Sequence, residues 1–290
     1  MKNKIIKALV FDKQVRLYFV DNTALINEII NLNGHNNRII NVALGKTVSG
    51  ISLLSATLKG EQRLSATITM SNPKYKIFAD TSAHGNVRGY ANQSLVKASG
   101  MEDVSIQNLI GQKASIRMIT GSDMNQFTGI TDMPYQNIDK DLSHYFNQSE
   151  QLETYIETNL AINKENTVLY SYAMFAQLLP GAPRHLLSEM KERINTSSSF
   201  LAKLKGIDRI QIQEELRNYF SDLEIIGQVP VQFSCRCSKE MFYGMLNSLD
   251  EKELMTYIYA NKIIKSSCHI CGRTYQFYPT EIKTLLRKEE

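Results

Sequence analysis

The chain has 290 residues, is 43% apolar and 21% charged, and carries a formal net charge of +4. That balance excludes global disorder, and so mild a charge argues against a surface dedicated to nucleic acid. The length accommodates one large domain with one or two small ones.

Met1 to Phe11 combines lysines with a short apolar run. Lys7 interrupts that run, Asp12 and Lys13 stop it, and no small-residue cleavage site follows. The pattern predicts a first β-strand and not a signal peptide. Val15 to Phe19 alternates as a strand does, and Asn22 or Thr23 is placed to cap a helix running through Ile30. Arg38 to Leu58 keeps apolar residues at helical spacing and is rich in Ala, Gly and Ser, which suits close packing on a sheet. Gly45 and Gly50 argue against one unbroken helix there. Leu64 to Met70 alternates, and Lys76 to Asp80 with Val87 to Tyr90 flank the turn signal His84-Gly85-Asn86, which predicts a hairpin. Ala114 to Thr120 and Phe127 to Met133 supply two more strands. Asp139 to Leu160 predicts a helix with Leu142, Tyr145, Phe146, Leu152 and Ile156 as its apolar stripe. Val168 to Leu179 predicts a final strand closing the sheet. That stretch, the longest apolar one, contains Ser171 and Gln177 and is too short to span a bilayer, so no membrane segment is expected.

Pro180-Gly181-Ala182-Pro183 punctuates the chain and marks a domain boundary. Beyond it, residues 184–229 carry charges of both signs, the polar run Thr196 to Ser199, and a helical pattern from Ile210 to Phe220. The stripe Ile212, Leu216, Tyr219 and Phe220 is thin for an independent core, which predicts a helical linker, marginal by itself and dependent on its neighbours. Pro230 ends it.

All four cysteines follow, as Cys235-Arg236-Cys237 and Cys268-His269-Ile270-Cys271. Four thiolates satisfy the tetrahedral preference of Zn²⁺, and close spacing within each pair lowers the loop entropy of gathering them. The same sulfurs can instead form two local disulfides, so the set is a candidate redox switch. A module of this size builds little core unaided, and a four-cysteine zinc site is worth about 10–16 kcal/mol in small zinc peptides. The bland alternative is a zinc staple that only folds the tail. His269 lies between two ligands and reads as an exposed neighbour. A thioredoxin-like role for Cys268 and Cys271 is poorly supported, because the pair follows the polar Lys265-Ser266-Ser267 instead of opening a helix after a buried strand. Arg236 and Lys265 are placed to stabilise thiolate. Between the pairs, Lys239 to Leu249 and Glu251 to Tyr259 read as helices with apolar positions at Met241, Met245, Leu246, Leu254 and Ile258; Phe277, Tyr278, Leu285 and Leu286 complete a small core. The first 234 residues lack cysteine, which fits a reducing, cytoplasmic setting. The expected fold class is α+β: an N-terminal mixed α/β domain with a large sheet over residues 1–180, a metastable helical linker over 181–230, and a small C-terminal zinc-binding module over 231–290.

The cysteine pattern resembles that of the redox-regulated holdase chaperone family, the 33-kDa heat-shock protein of bacteria. The resemblance extends along the chain, in Ala56-Thr57-Leu58-Lys59, Glu61-Gln62-Arg63-Leu64, Gly85-Asn86-Val87-Arg88-Gly89-Tyr90, Tyr145-Phe146-Asn147-Gln148-Ser149-Glu150-Gln151 and Gln177-Leu178-Leu179-Pro180-Gly181-Ala182. It implies that the reduced protein holds one Zn²⁺ on Cys235, Cys237, Cys268 and Cys271 and is a poor chaperone. It further implies that peroxide with heat, or hypochlorous acid, expels the zinc and forms the disulfides Cys235–Cys237 and Cys268–Cys271. The tail and linker then unfold, and unfolding client proteins are held without ATP. The active, oxidised form of the family is usually a homodimer.

Two other classes remain to be weighed. A zinc-ribbon nucleic-acid binder would use Arg236, Lys239, Lys262, Lys265, Arg273 and Lys283, which Glu240, Asp250, Glu251, Glu253 and Glu281 partly offset. A thiol oxidoreductase would use Cys268 and Cys271. No Gly-x-Gly-x-x-Gly or Walker pattern occurs, and His35, His84, His144 and His185 are scattered, so no enzyme is expected. Gly85, Arg88 and Gly89 read as a hairpin turn and a paired charge in preference to a functional loop.

Overall fold

The computed structural model describes residues 3–98, 104–122, 125–195, 209–268 and 270–286; Thr196 to Ser199, the rest of the linker to Asp208, and His269 lie outside them, as do the side chains of Leu285 and Leu286. The chain divides into two compact units, Met1–Ser234 and Cys235–Glu290.

Alternating apolar and polar residues generate most of the first unit. In chain order its strands are β1 (Asn3–Val10), β2 (Val15–Asp21), β3 (Arg63–Thr69), β4 (Lys76–Ser82), β5 (Asn86–Ala91), β6 (Ser115–Gly121), β7 (Gln126–Asp132), β8 (Thr154–Ile162), β9 (Val168–Leu178) and β10 (Glu224–Phe233). They form one ten-stranded sheet in the order β7-β6-β3-β4-β5-β10-β1-β2-β9-β8. Every neighbouring pair is antiparallel except β5 and β10, which meet in parallel at Asn86–Gln232 and Val87–Phe233. That short contact joins two five-stranded halves.

Helices α1 (Thr23–Asn33), α2 (Arg38–Leu53), α3 (Gln93–Val96), α4 (Ile106–Ile110) and α5 (Ile138–Ser149) belong to this unit. The main core includes Leu25, Ile26 and Ile29 of α1, Leu44, Val48 and Ile51 of α2, and Leu142 and Phe146 of α5, packed with Ile5, Val20, Ile68, Ile77 and Phe175 of the strands. Helix α2 runs unbroken through both glycines, because neighbouring side chains fill the space a Cβ would need: one at Gly45 would meet Leu160 Cδ2 at 2.5 Å, and one at Gly50 would meet Leu142 Cδ1 at 2.8 Å. Arg38–Ala56 is long and apolar enough to cross a membrane, yet 83% of its most apolar window is buried inside the protein, as befits the central core helix. Asn22 does not cap α1 through its side chain; it is buried and donates to Ser49 Oγ at 2.9 Å and Ser52 Oγ at 3.1 Å, tying α1 to α2.

Two expectations are corrected. The single helix expected over Asp139 to Leu160 ends at Ser149, Gln151 turns at φ +55°, and Thr154–Ile162 pairs with β9 as the edge strand β8. Thr154, Ile156 and Thr158 are β-branched at period two, a strand signal that the i, i+4 apolar spacing had masked. The end of the expected helical linker, together with Pro230, is instead β10, inserted at the centre of the sheet.

The preceding linker helices, α6 (His185–Asn195) and α7 (Arg209–Tyr219), lie on the second face of β1, β2 and β9. Leu187, Met190 and Ile194 of α6 and Ile212 and Leu216 of α7, with Phe220 just beyond, cluster with Ile6, Leu17, Phe19, Tyr172 and Met174. Strands buried on both faces read as continuous apolar runs, which is why Tyr172 to Leu178 looks unlike the alternating β3.

Candidate metal centre

In the second unit, β11 (Ile264–Ser267) and β12 (Thr274–Phe277) form a hairpin in which Ser267 faces Thr274. Its tip is a tight turn closed by Cys268 N–H to the Arg273 carbonyl at 2.9 Å and Gly272 N–H to the Cys268 carbonyl at 2.8 Å. Gly272 takes the left-handed φ of +72° that this closure needs. Cys268 and Cys271 thus come from one turn. Cys235 and Cys237 arrive from the segment before α8 (Lys239–Asn247), whose N-cap Ser238 accepts from the Met241 amide.

All four Sγ atoms lie within 4.8 Å of one another. The shortest contacts run between the pairs, Cys235 to Cys268 at 3.8 Å and Cys237 to Cys271 at 3.5 Å, and all four cysteines are free thiols. A disulfide requires about 2.05 Å. Four thiolates at about 2.3 Å from a central tetrahedral Zn²⁺ stand about 3.8 Å apart. The donor set therefore fits an ion of that size, and the four predicted residues converge on one point.

Burial grades the set: Cys268 and Cys271 are buried, Cys235 and Cys237 half-buried. Burial pushes the Cys235 and Cys271 thiols up. It acts the same way on Cys237, but hydrogen bonds from Tyr275 and the neighbouring thiols outweigh it and bring that thiol down. The Tyr275 hydroxyl lies 2.9 Å from the Cys237 carbonyl oxygen and 3.2 Å from its Sγ, and burial pushes the phenol up to about 12, so it remains a donor. A cation at the centre would reverse the balance for the raised thiols, since bound thiolate is the stable form. Tyr275 was not singled out in the sequence; the only signal for it is its place on a strand four residues after Cys271.

Around the site the core is small. Phe242 and Leu246 of α8, Leu254 of α9 (Glu251–Tyr259), Phe277, and Ile282 of α10 (Pro279–Leu286) are buried. Met241 and Met245, expected inside, are 61% and 57% exposed; Phe242 occupies the inward position, and Tyr278 is also exposed. Lys239 donates to Glu281 at 2.6 Å and lies 5.3 Å from the Phe277 ring centre, which ties α8 to α10. That engagement draws Lys239 away from the basic set a nucleic-acid binder would use.

The family model described as Hsp33 protein matches residues 3–278. The 33 kDa chaperonin of Bacillus pumilus is 30% identical over 286 residues, covering 97% of each chain. That of Listeria monocytogenes is 28% identical over 303 aligned positions, covering 98% of each. The crystal structure of the 33 kDa chaperonin of Thermotoga maritima, 22% identical, aligns with a TM-score of 0.76 over 100% of this chain and 99% of that one, so the fold is shared.

Proposed function

From its membership of the Hsp33 family, to which this chain belongs, we propose that the protein is a molecular chaperone and not an enzyme, an ATP-independent holdase switched by oxidation. The observation that carries the switch is the convergence of Cys235, Cys237, Cys268 and Cys271 within 4.8 Å. In the reduced form these thiolates hold one Zn²⁺, which supplies the central charge and crosslinks a unit with little core of its own. One hydrogen peroxide takes two electrons from each pair of thiolates: a sulfur–sulfur bond forms, the peroxide bond breaks, and both oxygens leave as water after taking up two protons from solvent. Closing Cys235–Cys237 and Cys268–Cys271 removes the donor set, because a disulfide sulfur is a poor zinc ligand.

The zinc module then loses its staple, and the linker containing α6 and α7 loosens. Its release uncovers apolar sheet surface at Ile6, Leu17, Phe19, Tyr172 and Met174, alongside the apolar faces of the two helices. Unfolding client proteins dock on that surface, with the linker as the main contact, and the oxidised protein acts as a homodimer in the cytoplasm. The domain scheme that serves this reading is a core, a metastable linker and a redox module.

Zinc content and suppression of client aggregation, measured on one sample before and after peroxide at raised temperature, test it. Loss of one zinc with gain of holdase activity is the expected result. Zinc retained with no activity gained would reduce the site to a structural staple.

A further inference from the structure

The Cys-x-Cys segment is the less buried half of the site, and it has no hairpin to fix it. Besides the sulfur contacts themselves, a tyrosine side chain from the other pair's hairpin reaches it. Tyr275 stands on β12 opposite Ser266, and its hydroxyl reaches both the carbonyl oxygen of Cys237, at 2.9 Å, and the Cys237 sulfur, at 3.2 Å. The ring is held in place by Phe242 of α8, whose centre lies 5.0 Å away and which is itself buried. One hydroxyl thus grips the main chain and the donor atom of the same residue, from a strand that already belongs to the other cysteine pair's hairpin.

We propose that Tyr275 is a positioning residue for the metal centre: its hydroxyl holds Cys237 at the tetrahedral vertex and, by occupying a sulfur lone pair, slows oxidation of that sulfur. The first half rests only on the geometry of the four sulfurs; the second rests on the redox reading above. Groups hydrogen-bonded to metal ligands commonly change metal affinity by about 10–100-fold when removed. In the metal-bound state the sulfur is already thiolate, and a hydrogen bond that draws on its lone pair makes it the weaker nucleophile toward peroxide.

The test compares the full-length protein with Tyr275→Phe, which keeps the ring against Phe242 and removes only the hydroxyl. Tyr259→Phe, at a ring 79% exposed, is the control. Zinc affinity of the reduced proteins is measured by competition with a coloured chelator, and the cobalt-loaded proteins are compared by their thiolate-to-metal absorption. Peroxide-treated samples are alkylated and Cys237 is read by mass spectrometry. The expected result for Tyr275→Phe is zinc binding weakened about tenfold, a shifted cobalt band, and Cys237 oxidised several-fold faster, with none of these in the control. Zinc affinity and cobalt spectrum equal to the parent's would overturn the positioning role. Weakened zinc binding with an unchanged oxidation rate at Cys237 would overturn the protective role alone. If the parent itself resists peroxide, the redox reading fails, and the affinity and cobalt measurements still decide the place of Tyr275.

Discussion

Gly85 passes so close to Pro230 that a Cβ on it would sit 1.7 Å from the Pro230 carbonyl oxygen. Its φ of +72° is also one that L side chains rarely adopt. The two features meet where β5 and β10 join the halves of the sheet, and Gln232 N–H to the Gly85 carbonyl at 2.9 Å closes the contact. Gly85→Ala should therefore strain the turn and push β10 out of register at once. A loss of at least about 2 kcal/mol is expected, read as a fall of several degrees in the unfolding temperature of the main unit.

Asp80 is nearly buried and receives Arg63, Arg88 and the Ser65 hydroxyl together. The paired charge expected at Arg88 is thus half of a shared arrangement across β3, β4 and β5. Asp80→Asn would leave two half-buried guanidinium groups facing each other without a counter-ion. A destabilisation of about 2–3 kcal/mol is expected, measurable by urea unfolding; a double change of Arg63 and Asp80 should cost less than the two single changes summed.

Glu157 on β8 is pushed above the ordinary carboxylate range, chiefly by burial. A carboxyl whose folded-state value is raised binds its proton more tightly in the native state than in the unfolded one. Its favourable contribution is complete below the unfolded value and is lost as pH climbs toward the raised one. Glu157→Gln should flatten this fall, so that the variant gains on the parent between mildly acid and neutral pH. Denaturant midpoints taken across that window check the sign, and a variant that loses ground as pH rises would refute it.

Phe220 is fully buried beneath α7 and meets Phe11 edge-on at 6.1 Å. Truncating it to Ala should cost about 3–5 kcal/mol, concentrated in the linker that it anchors to the second face of β1 and β2. Under the proposed switch, the reduced and zinc-loaded Phe220→Ala protein should already suppress client aggregation in part. Full dormancy of that variant, with the linker shown by hydrogen exchange to be loosened, would separate linker release from activity.

Metal removal separates the two units. A strong chelator under reducing conditions should unfold Cys235–Glu290, whose described core holds few apolar side chains, and leave the ten-stranded sheet of Met1–Ser234 intact. Hydrogen exchange should show protection lost across α8 to α10 and retained across β1, β2 and β9.

The site was more legible in the sequence than the fold around it. Four cysteines in two close pairs announce a shared centre because metal-binding chemistry resides in residue type and spacing, and the four sulfurs do converge. The Tyr275–Cys237 contact was not legible: it links residues 38 apart through the register of β12, and nothing in local composition encodes that register.

Alternation likewise settled β2 to β7 at the level of local structure. It failed from Asp139 to Ile162, where apolar residues fit both a helical and a strand period. There the turn at Gln151 and nine residues of pairing with β9 decided between them. Sequence by itself determined which segments seek a partner and which four cysteines gather; the break read at Pro180 to Pro183 is not where the compact units divide, which is between Ser234 and Cys235. Only the tertiary structure decided that Glu224–Phe233 would join the two halves of the sheet, and that α6 and α7 would cover its second face. The reason is that period and propensity are properties of a few consecutive residues, whereas strand order and the burial of a face depend on pairs as distant in sequence as Asn86 with Gln232 and Asn3 with Val231.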